Sequence, residues 1–335
     1  MIPEDIGRAL GLRASGTWRP APPEAGGGPG AYATSLPFRL AEAAGTEPAT
    51  AAAGLAATLR AEPWIADAAV TGGGYLTVTV TSRALACLAV RVPAAGPGCV
   101  ASDALAGTEL TAPAAAGLAS AATWEEARRL VAACVTGRLA GICGATVRAD
   151  MPPERLIATR QPATAGAVAF AGADAIRYAL ARLAPGRAAR VDELRWAPNT
   201  LANPFFLVRY AHARAASVLR WAADLGVDRG SAGGFRPELL SHAGELGLLD
   251  AISWLPERAA AAARRRRPDV FVRHLEGLAS RWLGCAEHHP ALPFGGAAAP
   301  RDSAAAAARL WLAAAAQTAI GAGLWLLGVV APERL

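Results

Sequence analysis

Lysine is missing altogether: the 33 positively charged side chains of the 335-residue sequence are all arginine. No Schiff-base catalyst and no P-loop lysine can therefore be built from these residues. Histidine is scarce, and the five present (His212, His242, His274, His288, His289) all lie beyond residue 200. Cys87, Cys99, Cys134, Cys143 and Cys285 fall at irregular spacings with no C-x-x-C pair, so neither a zinc ribbon nor a redox dithiol is signalled and free buried thiols are expected. The opening M-I-P-E-D-I has no basic stretch leading into an apolar core, which argues against secretion and for the cytoplasm.

What is present is apolar and basic. A hydrophobic content of 53% excludes disorder, and the length allows two or three domains. Charge is uneven: residues 1–150 carry 11 arginines against 12 acids, whereas 151–335 carry 22 against 15. Arginine forks onto phosphate and stacks on bases, so a polyanion is the partner class suited to the second half, with a solvated arginine surface as the plainer reading.

Taken in order, residues 3–12 read as a short helix and Ala21–Gly30 as a Pro/Gly loop. Helical spacing follows over Leu36–Ala44 and again over Thr50–Arg60, the second behind a threonine cap. Then Tyr75, Thr77 and Thr79 alternate with Leu76, Val78 and Val80, a half-buried strand after a triple-glycine turn. Residues 1–92 thus form a small α+β domain. The stretch 93–122 is Ala/Gly/Pro-rich and reads as linker or loose structure, and 93–170 as a linker and helical region containing the helix Trp124–Cys143 behind Thr123. From 171 on the pattern is an all-α bundle: Ala171–Leu183, the helix opening at Asn203, Pro237–Trp254, Pro256–Arg267, Pro268–His288 and Asp302–Val330. Leu310–Val330 is long and apolar enough to test as a membrane span, but its alanines, Gln317 and Thr318 favour a buried helix and no membrane.

The chain is organised around N-P-F-F-L-V-R-Y-A-H-A-R-A-A-S-V-L-R-W, residues 203–221. Asn203 suits a cap and Pro204 the first helical position. One arc gathers Leu207, Val208, Ala211, Ala215, Ala216, Val218 and Leu219, with Phe205 and His212 at its edge. The other collects Phe206, Arg209, Tyr210, Arg214, Ser217, Arg220 and Trp221 without a carboxylate, a face fit for unstacked bases and phosphates or for solvated arginines over packed rings. Elsewhere, His288-His289 could ligate a metal with His274 or Cys285, but their spacing reads as a surface pair, and Arg264–Arg267 end a helix either in solvent or on phosphate.

Several ordered pieces resemble the C-terminal part of arginyl-tRNA synthetases, with its helical anticodon-binding domain: G-A-D-A-I-R-Y at 172–178, N-P-F-F-L-V-R-Y-A-H-A-R at 203–214, L-P-E-R-A-A-A-A-A at 255–263, R-L-W-L at 309–312 and L-L-G-V-V-A-P-E-R-L at 326–335. G-A-Y-A-T-S at 30–35 and G-G-Y-L-T-V at 73–78 are similar to that family's N-terminal domain, which contacts the tRNA elbow. There the family's usual aspartate is replaced by Ala31, and its usual asparagines by Ser35 and Thr77. The family's H-I-G-H and lysine-loop signatures have no counterpart, and the roughly 80 residues at 91–170 hold at most two βαβ units of ~30 residues each.

The resemblance implies a non-catalytic tRNA-binding protein, with no cofactor, metal or DNA, that recognises tRNA, arginine tRNA among the candidates, through its bundle and delivers it to a partner enzyme. The site residues implied are Phe206, Arg209, Tyr210, Arg214 and Arg220, joined by Arg334 and Leu335, which stand where the family ends in methionine near the anticodon loop. The rival reading is a protein-docking module that has lost RNA.

Overall fold

The computed structural model describes residues 2–12, 18–23, 27–113, 118, 121–150, 164–292 and 303–335. Parts of the Ala21–Gly30 loop and of the 93–170 region lie outside these residues.

Three consecutive glycines at 72–74 all take positive φ, and so turn the chain sharply between Thr71 and Tyr75. The first unit contains α1 (Ile2–Ala9), β1 (Ala31–Thr34), α2 (Leu36–Ala44), α3 (Pro48–Arg60), β2 (Ile65–Thr71) and β3 (Tyr75–Val80). The strands form an antiparallel sheet in the order β1-β3-β2, with Leu76, Val78 and Val80 buried as their alternation requires. α3 starts two residues earlier than its threonine suggested. Pro48 occupies its first turn and Glu47 makes no side-chain cap, so proline's fixed φ sets the start instead of a hydroxyl.

Next come α4 (Ser82–Ala86), α5 (Leu88–Ala95), β4 (Glu109–Pro113), α6 (Trp124–Ile142) and β5 (Thr146–Asp150). Two features depart from the expectation of linker and loose structure. Cys99, Val100, Leu105 and Ala112 are buried, and β4 pairs in parallel with β5 across α6, a single βαβ unit. Neither strand alternates, because β5 is largely exposed and β4 buries Ala112 alone, so no period of two was there to read. Thr123 caps α6 as expected, accepting from the Glu126 amide at 3.1 Å.

The remaining chain is helical: α7 (Ala165–Ala171), α8 (Ala173–Arg182), α9 (Glu193–Trp196), α10 (Pro204–Asp224), α11 (Ala243–Ser253), α12 (Leu255–Arg265), α13 (Pro268–His288) and α14 (Ser303–Leu327). By length and composition 304–327 could cross a membrane, yet 78% of its apolar window is buried inside the fold. α14 packs on α10, α13, α5 and the Gly96–Val100 turn. One apolar core runs from Ile2 to Val329 through all three sequence regions.

The N-terminal sheet is joined to α11 by polar bonds. The Gly30 amide donates to Asp250 Oδ1 at 2.9 Å. Ser253 Oγ gives its proton to the Asp250 carbonyl, so the Tyr32 hydroxyl, 2.7 Å away, donates to Ser253. Tyr32 is fully buried against Trp254, with ring centroids 5.0 Å apart, and burial pushes its phenol pKa up. Gly30 and Tyr32 are therefore part of an internal junction. A fragment restricted to 171–335 would bare the faces of α14, α12 and α11 that the first half covers. Its thermal melt, followed by circular dichroism, is expected to show no cooperative transition where the full chain shows one.

Candidate nucleic-acid interface

α10 begins as its sequence dictates. Asn203 Oδ1 accepts from the Phe205 amide at 3.1 Å, and its Nδ2 donates to the carbonyls of Trp196 and Pro198 at 2.8 and 2.9 Å, so a buried amide fixes both the helix start and the α9–α10 loop. Val208, Ala211, Ala215, Ala216 and Val218 are buried as the winding requires. Leu207 and Leu219 are only half-buried, whereas Phe205 and His212, placed at the edge of the arc, are buried. α14 accounts for His212: Gly321 leaves room for the ring, since a Cβ there would stand 3.1 Å from Nε2.

The opposite face carries the expected mixture. Phe206 and Tyr210 stack on each other with centroids 5.7 Å apart and planes 18° from parallel. Arg209 lies over the Phe205 ring at 5.1 Å, with a buried Nε that has no hydrogen-bond partner among the described residues. Arg214 covers Trp221 at 5.2 Å. Arg220 donates to Ser217 Oγ at 2.8 Å and to the Glu333 carbonyl at 3.0 Å. At ~1.5 Å of rise per residue, Phe206 and Arg220 are about 21 Å apart, so this is a strip and not a single pocket.

The terminal residues are tied along this strip. Arg177 Nη1, paired with Asp174, donates to the Gly328 carbonyl at 2.8 Å, and Asp174 Oδ2 accepts from the Val330 amide at 3.0 Å. His212 Nδ1 meets the Pro332 carbonyl at 2.8 Å, so Nδ1 carries the proton, and burial holds this imidazole below its usual pKa. Arg334 thereby shares one depression with Arg220 and Trp221, while Leu335 is exposed. The strip thus splits in two, Phe206, Arg209 and Tyr210 near the helix start, and Arg220 and Arg334 near its end, with Arg214 at mid-helix reaching forward over Trp221. Sequence reasoning missed Asp174, Arg177 and His212 as the side chains that hold the tail, and their only signal was their place in the quoted motifs.

The other constellations separate. His274 bonds the Ala251 carbonyl at 2.9 Å, and burial followed by the Arg258 charge lowers its pKa to about 4. His288 bonds Gly284, and His289 stacks on His242 with centroids 4.2 Å apart. Of the four-arginine run, Arg264 pairs with Glu257 at 2.6 Å and Arg267 with Asp269 at 2.8 Å, leaving Arg265 and Arg266 exposed.

An α+β N-terminal part followed by a helical bundle is the architecture of an arginyl-tRNA synthetase-type fold carrying an anticodon-binding domain. Residues 208–335, from within α10 to the tail, match the DALR anticodon binding domain. Arginine–tRNA ligases from Micrococcus luteus and Paenarthrobacter aurescens are 39% and 37% identical over 173 and 171 residues, in each case 50% of this chain and 30% of the relative. The chain is thus related to arginine–tRNA ligases over about half its length, and the matched stretch covers less than a third of those relatives. An arginyl-tRNA synthetase structure from Thermus thermophilus aligns over 100% of this chain and 99% of its own with a TM-score of 0.65 and 15% identity, a likeness of fold.

Proposed function

We propose that this chain is a non-catalytic tRNA-binding protein that recognises tRNA through the face of α10 and the tail fixed beside it. The observation that carries this is a coincidence in space: the anticodon-binding match begins within α10, and the strip of rings and guanidinium groups lies on that helix with the matched tail along it. Phosphates would meet Arg214, Arg220 and Arg334, and unstacked bases would meet Phe206 and Tyr210. Arg209 stands between them. Arginine tRNA is the first candidate, by relation to arginine–tRNA ligases. Delivery of the bound tRNA to a partner enzyme is the role we assign, in the cytoplasm and without a cofactor.

Absence of amino-acid activation is part of the proposal. It is supported by the lack of lysine and of an H-x-G-H signature, and by an interval between N-terminal sheet and bundle whose described residues hold one βαβ unit. The full chain is expected to give no arginine-dependent ATP–pyrophosphate exchange, with or without tRNA. It should retain tRNA on filters with an affinity that falls by about 0.7–0.9 log units per log unit of salt for each phosphate neutralised. Robust exchange would overturn the non-catalytic assignment, and salt-independent or absent retention would overturn the RNA assignment.

A further inference from the structure

The segment that matches an anticodon-binding domain starts at residue 208, yet two of the side chains that hold its tail stand before it, on α8. Gly328 turns the chain off the end of α14 with a φ of 71°, and Arg138 of α6 leaves no room there for a side chain. From Val329 onward the chain forms neither helix nor strand. Its backbone is instead held at four points: the Gly328 carbonyl by Arg177, the Val330 amide by Asp174, the Pro332 carbonyl by His212 and the Glu333 carbonyl by Arg220. The first two come from a firm base, because Tyr178 and Arg182 of α8 both bond Glu276 of α13, at 3.1 and 2.6 Å.

Ordering an irregular segment costs conformational entropy, which buried side chains ordinarily offset. Here they offset little of it, since Glu333, Arg334 and Leu335 are all exposed and the four bonds fall on the backbone. Pinning the backbone while leaving the side chains outward is an arrangement for presenting them to a partner. We propose that Asp174 and Arg177 are positioning residues for the RNA: without touching it, they set the path of the tail and so place Arg334 beside Arg220 and Trp221. The working RNA-binding unit then begins at α8, ahead of the matched segment. The inference rests on the tRNA-binding reading and deepens it, by giving a role to an element outside the match.

The test uses the full chain and unfractionated tRNA. Asp174→Ala removes a negative charge, so electrostatics alone would tighten the hold on a polyanion. Acting through the tail, it is expected instead to weaken tRNA retention by about two- to fivefold, the size of one exposed charge pair. Arg334→Ala should lose a similar factor, and the double variant no more than either alone, because both changes remove the same contact. Hydrogen exchange at the Val330 amide should quicken in Asp174→Ala, since its acceptor is gone. Arg177→Met loosens the same clasp from the next turn of α8, so it keeps the test valid if Asp174→Ala does not fold, and its pairing with Arg334→Ala carries the same expectation. A folded Asp174→Ala chain that binds tRNA as the parent does or more tightly, losses that multiply in the double variant, or unchanged exchange at Val330 overturns the positioning role and leaves the function standing. A parent that binds no tRNA overturns both.

Discussion

Replacing Arg309 with methionine is expected to lower the unfolding free energy by about 3–5 kcal/mol, among the largest single-site losses the fold can show. Glu245 is fully buried at the start of α11. Its Oε2 accepts from the His242 amide at 3.1 Å, and its Oε1 from Arg309 Nε at 2.9 Å, from α14. Methionine keeps much of the arginine stem's volume, so packing changes little. It removes the only cation paired with Glu245 among the described ion pairs, leaving a buried carboxylate with one amide donor. Urea titration of the full chain measures the loss. Adding Glu245→Gln, which retains an acceptor for the His242 amide without a charge, should recover most of it. A loss below about 1 kcal/mol for Arg309→Met would show that the pair contributes no more than a surface bridge.

Arg309 also shows where sequence reasoning ends. It opens R-L-W-L, a stretch recognisable in the sequence, yet nothing local ties it to Glu245, 64 residues earlier. The same holds for G-A-D-A-I-R-Y: its Asp174 and Arg177 hold the backbone at Gly328 and Val330, more than 150 residues on. Trp311 likewise donates to the Arg229 carbonyl at 2.9 Å and lies under that guanidinium at 4.3 Å. Local chemistry was legible. The caps at Thr123 and Asn203, the glycine turn at 72–74 and the alternation of β3 depend on neighbours in sequence. The parallel β4–β5 pair, the Tyr32–Ser253 junction and the path of the tail depend on partners far along the chain, which neither period nor spacing encodes. On α10 the two arcs could be read, but the burial of His212 could not, because α14 and the tail impose it.

The rings and the arginines of the α10 strip are expected to respond differently to substitution, and this separates an RNA contact from a structural face. Tyr210→Ala removes one ring of the Phe206–Tyr210 stack. If that stack receives a base, tRNA binding should weaken by ~1–3 kcal/mol with the salt slope nearly unchanged, since no charge is lost. Arg214→Ala removes a guanidinium that has only the Trp221 ring beneath it among the described contacts. It should weaken binding roughly uniformly across tRNAs and flatten the salt slope by under one unit. Arg209→Ala combines both kinds of effect, because its stem and buried Nε pack on Phe205, and a lower melting temperature should accompany any loss of RNA. Circular dichroism and melting of each variant therefore precede the binding assays. Folded Tyr210→Ala and Arg214→Ala chains that hold tRNA as the parent does would remove this face from the RNA site, and leave protein docking as the better account of why rings and arginines share one helix.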